Sequence, residues 1–470
     1  MDGKLYTNSC LIIQATDNNP VWYLCPSTGL FALPGFPVLL RVFQQNQFSR
    51  NLKVKPSFMK NGIRCLLTIL LAASPFYSPA QPLNYTPQES ENIHDSINKS
   101  RWDIGGRLSQ YSFRYMSEFF PVAMINKAGQ SYPFQYTPKK SFDNFTVKSK
   151  KETLSLETYL KKLHIASFIV IHKGTIVYEK YFSTLPEDKH TLQSVTKVIT
   201  ATLITNLANE KKIELNQPIE KYIPELKRSD WQGISVKHIL NMQSGMDIHS
   251  VDFETGPFTN PEHKNYQLES ALGILPKETT TPSSVYQFVA GMKKDTIPGT
   301  GAAYSNINTF VLGWLAEKVT GKKYADLVSE RIWKPMGASS DAYTCVSDKG
   351  IAWPHGGISA TLRDLARFGM LYTKSDIKKR KESLVSLAQL KEIFDTPPLT
   401  GPLPLKWAYQ WDIASDGVLM KSGFGGQALY IEPEQEIVIA YYNYVDKDWG
   451  MNLISEAALI EIMKAASAEK

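Results

Sequence analysis

The chain is 470 residues long, enough for two or three modules, and carries 52 Lys and Arg against 45 Asp and Glu. That basic excess is concentrated at the start: residues 1–80 hold 7 basic and 2 acidic residues, leaving 45 against 43 beyond them, so the body carries no electrostatic footprint for nucleic acid. Three of the four cysteines, Cys10, Cys25 and Cys65, share that leader and Cys345 stands alone, which excludes an internal disulfide or a cysteine cluster for metal in the body.

Within the leader, Met59-Lys60-Asn61-Gly62-Ile63-Arg64 is basic, Cys65 to Ala73 is apolar, and Ser78-Pro79-Ala80 supplies small residues before Gln81. This is the pattern of a secretory signal, with an apolar core too short for a stable membrane span. It predicts cleavage near Ala80-Gln81 and export to the periplasm or the medium. Cys65 lacks the small-residue context, just after an apolar core, that a lipid anchor needs. The 58 residues upstream read either as a start assigned ahead of Met59 or as a genuine extension.

From 81 to 150 the chain is rich in Asn, Ser, Pro, Tyr and Phe, and includes Trp102, Tyr111, Phe113, Tyr115, Phe119 and Phe120. So many aromatics indicate an arm packed on the domain and not a free linker. Residues 151–466 then form the main domain. Its first element, Phe168 to Phe182, alternates about a turn at Lys173-Gly174 and predicts a β-hairpin.

Ser194-Val195-Thr196-Lys197 follows. In a helix, positions i and i+3 share a face, about 5–6 Å apart at Cβ. A lysine so placed can take a serine's proton if burial or a neighbouring cation lowers its amine pKa from about 10.4. The same spacing recurs at Ser57, Ser96, Ser375 and Ser467, but in targeting, polar or terminal surroundings. Only Ser194 opens an apolar run (Val195, Val198, Ile199, Ala201, Leu203, Ile204, Leu207, Ala208), the mark of a buried helix.

Tyr304-Ser305-Asn306 follows the turn at Pro298, Gly299 and Gly301 and precedes an apolar helix from Thr309 to Val319. Two apart at a helix entry, the tyrosine can relay protons and the asparagine amide can grip a substrate carbonyl. Lys421-Ser422-Gly423, followed by Phe424-Gly425-Gly426, leads into an expected edge strand from Gln427 to Ile431 and a second strand from Glu436 to Tyr442. Lys421 can hold down a neighbouring tyrosine or lysine pKa and bind a carboxylate. Gly423 leaves room for a substrate backbone. A helix from Asn452 to Ala466 closes the chain. The expected fold is α/β of the α+β kind: an antiparallel sheet flanked by terminal helices, with an inserted helical region from Ser194 to about Phe394. His249, His355, Trp333 and Trp411 are candidates to line the cleft, though residues of these kinds are more often packed in a core or loop.

With Ser-x-x-Lys, Tyr-x-Asn and Lys-Ser-Gly in this order, the chain resembles the penicillin-recognising serine hydrolases: class C β-lactamases, D-alanyl-D-alanine carboxypeptidases, related esterases and 6-aminohexanoate-dimer hydrolases. The tyrosine of the middle motif points to the class C-like branch. Trp333-Lys334-Pro335-Met336-Gly337 and the run from Gly356 to Gly369 also match the family pattern, and the likeness spans roughly residues 150 to 465. Met242, in Leu240-Asn241-Met242-Gln243-Ser244-Gly245, is closer to the 6-aminohexanoate-dimer hydrolases than to the His-Thr-Ser-Gly of β-lactamase-like members. The resemblance implies an acyl-enzyme on Ser194 and proton traffic through Lys197 and Tyr304. It also implies substrate contacts from Asn306, Lys421, Ser422 and Gly423, and an oxyanion hole from the backbone N–H groups of Ser194 and Phe424. The implied substrate is a small amide or ester, including one with a free carboxylate, and neither metal nor organic cofactor is called for.

Overall fold

The computed structural model describes residues 85–97, 102–103, 105–148, 152–247, 258–375, 384–397, 406–414, 417–446 and 452–468, together with the backbone of two short strands near the N-terminus. The chain divides into two compact units, Met1–Ser78 and Pro79–Lys470. In the first, Leu11–Ile13 and Trp22–Leu24 pair antiparallel. The signal-like segment from Met59 to Ala80 and the candidate cleft residue His249 lie outside the described residues.

Two sheets organise the second unit. Their strands are β1 (Val122–Ile125), β2 (Gln135–Tyr136), β3 (Ser167–His172), β4 (Thr175–Tyr181), β5 (His190–Thr191), β6 (Ala342–Cys345), β7 (Ile358–Ala360), β8 (Lys406–Ala408), β9 (Trp411–Ile413), β10 (Leu419–Gly423), β11 (Gln427–Glu432) and β12 (Ile437–Tyr442). The large sheet runs β8-β9-β10-β11-β12-β3-β4-β2, antiparallel except for the last pair. The small sheet runs β1-β6-β7-β5, antiparallel throughout. The helices that matter for the site are α1 (Thr196–Asn209), α2 (Lys264–Ala271), α3 (Asn306–Thr320), α4 (Leu362–Met370) and α5 (Glu456–Ser467).

Strand periodicity splits the large sheet's side chains between two cores. Ile169, Ile171, Leu429, Ile431, Val438 and Ala440 enter the main core, while Phe168, Val170, Ala428, Tyr430, Ile437 and Ile439 enter a second core beneath α5. Covering both faces requires continuous apolar strands, which is why β3, β11 and β12 read as unbroken hydrophobic runs. The expected edge strand at Gln427 is therefore corrected: β11 is interior, hydrogen-bonded to β10 on one side and β12 on the other. The approach of α4 is close, since a Cβ on Gly369 would lie 2.7 Å from Val438 Cγ1 and 3.0 Å from Leu429 Cδ1.

The expected hairpin at Lys173-Gly174 is present as β3 and β4. The inserted region is less purely helical than expected, because β6 and β7 lie within it, paired with each other, and β6 pairs with β1 of the arm. The arm is thus part of the fold. Trp102, Tyr111, Phe113 and Phe120 are buried in the main core, and the Phe113 carbonyl accepts the Thr191 N–H at 2.8 Å.

Helix α1 has 12 of its 14 residues buried. Its Val, Ile and Thr content gives it modest intrinsic helicity, so packing holds it. Its buried threonines are satisfied: Thr200 donates to the Pro354 carbonyl at 2.6 Å and Thr202 to the Val198 carbonyl at 2.7 Å. Helix α3 starts cleanly because the Ser305 hydroxyl caps it, accepting the Ile307 N–H at 3.0 Å.

Candidate active site

Ser194 precedes α1 in a tight turn, Gln193–Val195, partly open to solvent. Gln193 takes φ +48°, a left-handed conformation that costs a residue with a side chain about 1–3 kcal/mol. Its surroundings enforce it. Leu192 N–H donates to the Ile358 carbonyl of β7 at 2.8 Å, and Ile358 N–H returns to Thr196 Oγ1 at 3.3 Å. On the other side β10 presses in at Gly423, where a Cβ would meet the Leu192 carbonyl at 2.6 Å and Ser194 N at 3.1 Å. The sequence suggested that Gly423 makes room for substrate. What fills that space is the backbone of the serine's own turn.

Lys197 is fully buried, with Nζ 3.0 Å from Ser194 Oγ and donating to the His355 carbonyl at 2.8 Å. Among the described residues no carboxylate forms an ion pair with it. Burial, and next the Lys421 cation, push its pKa well below the usual lysine value; Glu269 and Asp412 oppose this more weakly. A lysine whose protonated form is disfavoured in this way is suited to accept the Ser194 proton.

Burial raises the Tyr304 phenol above the ordinary range, and the neighbouring Ser194 hydroxyl opposes this more weakly. The Tyr304 loop is held from below, where the Ala303 N–H donates to the Met242 carbonyl at 2.9 Å and the Gly299 N–H to the Gln243 carbonyl at 3.0 Å. Met242, suspected from sequence as a mark of substrate preference, is a buried support for the tyrosine loop.

Lys421 is buried on β10 and paired with both carboxylate oxygens of Asp412 on β9, at 3.2 Å each. Its ammonium lies over the Tyr304 ring, 4.7 Å from the centroid, and Lys197 Nζ lies 5.0 Å from the same centroid. The expectation that Lys421 keeps Tyr304 ionised gives way here. Tyr304 is held as a phenol, and the cation's effect falls on Lys197. A carboxylate already neutralises Lys421, so a substrate carboxylate meets a pair and not a lone cation.

Asn306 opens α3, and its Nδ2 donates to Glu269 Oε1 of α2 at 2.7 Å. Glu269 also lies 3.1 Å from His355 Nε2. Asn306 therefore joins the Ser194 group through the Glu269–His355 link. Ser422 is opposite Ala428 in the β10–β11 ladder. Phe424 packs on Phe258, with ring centroids 6.3 Å apart. Of the other candidates, His355 belongs to the site. Trp333 and Trp411 are core residues: the first donates Nε1–H to the Ser340 carbonyl at 2.8 Å, and the second packs edge-on to Tyr372.

Sequence reasoning missed Glu269 and Asp412. For Asp412 a signal existed, an acid inside the short apolar strand Trp411–Ile413, nine residues before Lys421. Glu269 sits in a helix with no amphipathic pattern, and nothing local marks it.

Residues 156–447 match the family model described as Beta-lactamase. A 6-aminohexanoate-dimer hydrolase from Paenarthrobacter ureafaciens is 26% identical over 343 residues, covering 70% of this chain and 84% of that protein. The D-alanyl-D-alanine-carboxypeptidase/endopeptidase AmpH of Escherichia coli (strain K12) is 24% identical over 296 residues, covering 55% of this chain and 73% of that protein. Among solved structures, a candidate 6-aminohexanoate-dimer hydrolase from Bacillus anthracis superposes with a TM-score of 0.69 at 26% identity, covering 79% of this chain and 95% of the other.

Proposed function

The chain belongs to the beta-lactamase family and is a serine hydrolase, and we propose that it cleaves amide bonds of small linear substrates through an acyl-enzyme on Ser194. The observation that carries this reading is Lys197 Nζ, buried 3.0 Å from Ser194 Oγ with no counter-ion among the described residues. In acylation, neutral Lys197 accepts the Ser194 proton as Oγ attacks the carbonyl. The oxyanion forms against the backbone N–H groups of Ser194 and Phe424. Tyr304, a phenol beside Ser194, passes a proton to the leaving amine and regains one from Lys197, so no net charge is stranded. Water then repeats the sequence on the acyl-enzyme. The acid–base unit is the Lys197–Tyr304 pair, and its titration belongs to the pair.

Similarity to the 6-aminohexanoate-dimer hydrolases in both sequence and structure supports linear ω-amino-acid amides as the substrate class. A second reading, D-alanyl-peptide hydrolysis, draws on the similarity to AmpH. Turnover of the 6-aminohexanoate dimer, a D-alanyl-D-alanine peptide, nitrocefin and p-nitrophenyl esters, each with wild type and Ser194→Ala, separates these. The amidase reading expects the linear amide to give the highest kcat/KM and the variant to be inactive on all four. A D-alanyl peptide or nitrocefin in first place overturns the substrate class.

Export is part of the same proposal and rests on the sequence pattern from Met59 to Ala80. N-terminal sequencing of extracellular or periplasmic protein is expected to begin at Gln81. Soluble cytoplasmic protein retaining Met1 contradicts it.

A further inference from the structure

Glu269 occupies a junction that the steps above do not use. It is 3% exposed on α2, and its carboxylate reaches two other segments of the site. Oε1 accepts Nδ2–H of Asn306 at 2.7 Å, at the mouth of α3 and two residues beyond Tyr304. The same carboxylate lies 3.1 Å from Nε2 of His355, which is itself 3% exposed. Among the described residues Nδ1 of His355 is buried without a hydrogen-bond partner, and the ring's directed bond there is the one to Glu269. The His355 carbonyl, in turn, accepts from Lys197 at 2.8 Å. One carboxylate thus ties the segment carrying Tyr304 and Asn306 to the segment that holds Lys197.

The chemistry of that tie has a directional consequence. An ionised carboxylate only accepts hydrogen bonds, so Asn306 must turn its NH2 toward Glu269. What the Asn306 side chain then offers outside this link is its carbonyl oxygen, an acceptor. An amide substrate has an N–H to give it, whereas the matching ester does not. Leaving such an acceptor unmatched is penalised because a polar group is desolvated without a partner.

We propose that Glu269 is a positioning residue: it locks the Asn306 amide so that Oδ1 receives a substrate N–H, favouring amides over esters, and it steadies the His355 carbonyl against Lys197. This rests on the amidase reading. Glu269 also places a negative charge near the acid–base pair, where Lys421 and Asp412 already act on Lys197, and Asp103 of the arm lies close enough to feel that charge.

The test compares a p-nitroanilide and a p-nitrophenyl ester of the same 6-aminohexanoyl group across pH, in wild type, Glu269→Gln and Asn306→Ala. Glutamine keeps the shape but accepts either face of Asn306, so kcat/KM for the anilide is expected to fall about tenfold further than for the ester. Losing the charge makes Lys197 easier to deprotonate, so the acidic limb of the Glu269→Gln profile moves to lower pH on both substrates. Asn306→Ala removes the acceptor and keeps the charge. It is expected to lower the anilide-to-ester ratio similarly with the acidic limb in place, and it serves as the test if Glu269→Gln does not fold. An unchanged ratio in the folded variants overturns the inference, whatever happens to absolute rates. Wild type inactive on the anilide overturns the amidase reading and this inference with it, whereas wild-type amidase activity with unaltered selectivity in the variants overturns the role of Glu269 alone.

Discussion

The Lys421 ammonium stands 4.7 Å from the centroid of the Tyr304 ring, with its charge held by Asp412. Lys197, on the same ring at 5.0 Å, is the group that feels it. The site thus contains two lysines with different tasks. One is buried, unpaired among the described residues and disfavoured in its protonated form; the other is paired with Asp412. An amine pushed toward its neutral form beside a phenol and a serine hydroxyl is suited to proton transfer without first ionising the phenol.

Removing the charged lysine tests this division. Without Lys421, Lys197 loses the neighbour that, after burial, most disfavours its protonated form, so its pKa rises. In Lys421→Ala the acidic limb of the kcat/KM profile is expected at higher pH than in wild type. Asp412 is also left without its partner, and the melting temperature should fall, since breaking a buried pair costs about 3–5 kcal/mol. An unshifted limb in folded protein contradicts the assignment.

Tyr304→Phe removes a single oxygen. The acylation rate is expected to drop by roughly 10²–10⁴, the usual worth of general acid–base catalysis, with little change in substrate affinity. Pre-steady-state measurement of the acylation burst checks it. A rate within a few-fold of wild type excludes the phenol from proton transfer.

Gly423→Ala probes the contact between β10 and the serine's turn. A methyl group there falls 2.6 Å from the Leu192 carbonyl and 3.1 Å from Ser194 N, so the strand must move off. Displacing one oxyanion donor is worth about 10²–10³ in kcat, and a loss of that size is expected with the circular dichroism spectrum intact.

Much of this site was legible because its residues announce themselves locally. Ser194, Lys197, Tyr304 and Lys421 sit in short motifs at element boundaries, and the hairpin at Lys173-Gly174 and α5 follow simple periodicity. The remainder depends on contacts distant in the chain. Glu269 meets His355 across 86 residues, and β1 meets β6 across more than 200, with no local pattern to foretell either. Strand β11 was misplaced at an edge because its apolar run reflects coverage of both faces, which only the docked helices reveal.

Stability should carry its own pH signature. Burial holds His190 neutral, with its pKa pushed down to about 3, where it stacks on Tyr442 at 4.6 Å. The unfolded chain binds a proton below about 6.5 that the folded chain refuses, so this stabilisation is complete above that pH. It is lost at about 1.4 kcal/mol per pH unit on descending toward 3. Replacing it with phenylalanine, His190→Phe, should shrink the fall in melting temperature between pH 7 and pH 5. An unchanged fall assigns the acid sensitivity elsewhere.

The most direct measurement is peptide mass spectrometry after treatment with a fluorophosphonate. The account predicts one adduct, on the peptide bearing Ser194. It predicts none on those bearing Ser96 or Ser375, and no labelling or hydrolysis in Ser194→Ala. An adduct elsewhere, or undiminished turnover in that variant, contradicts it.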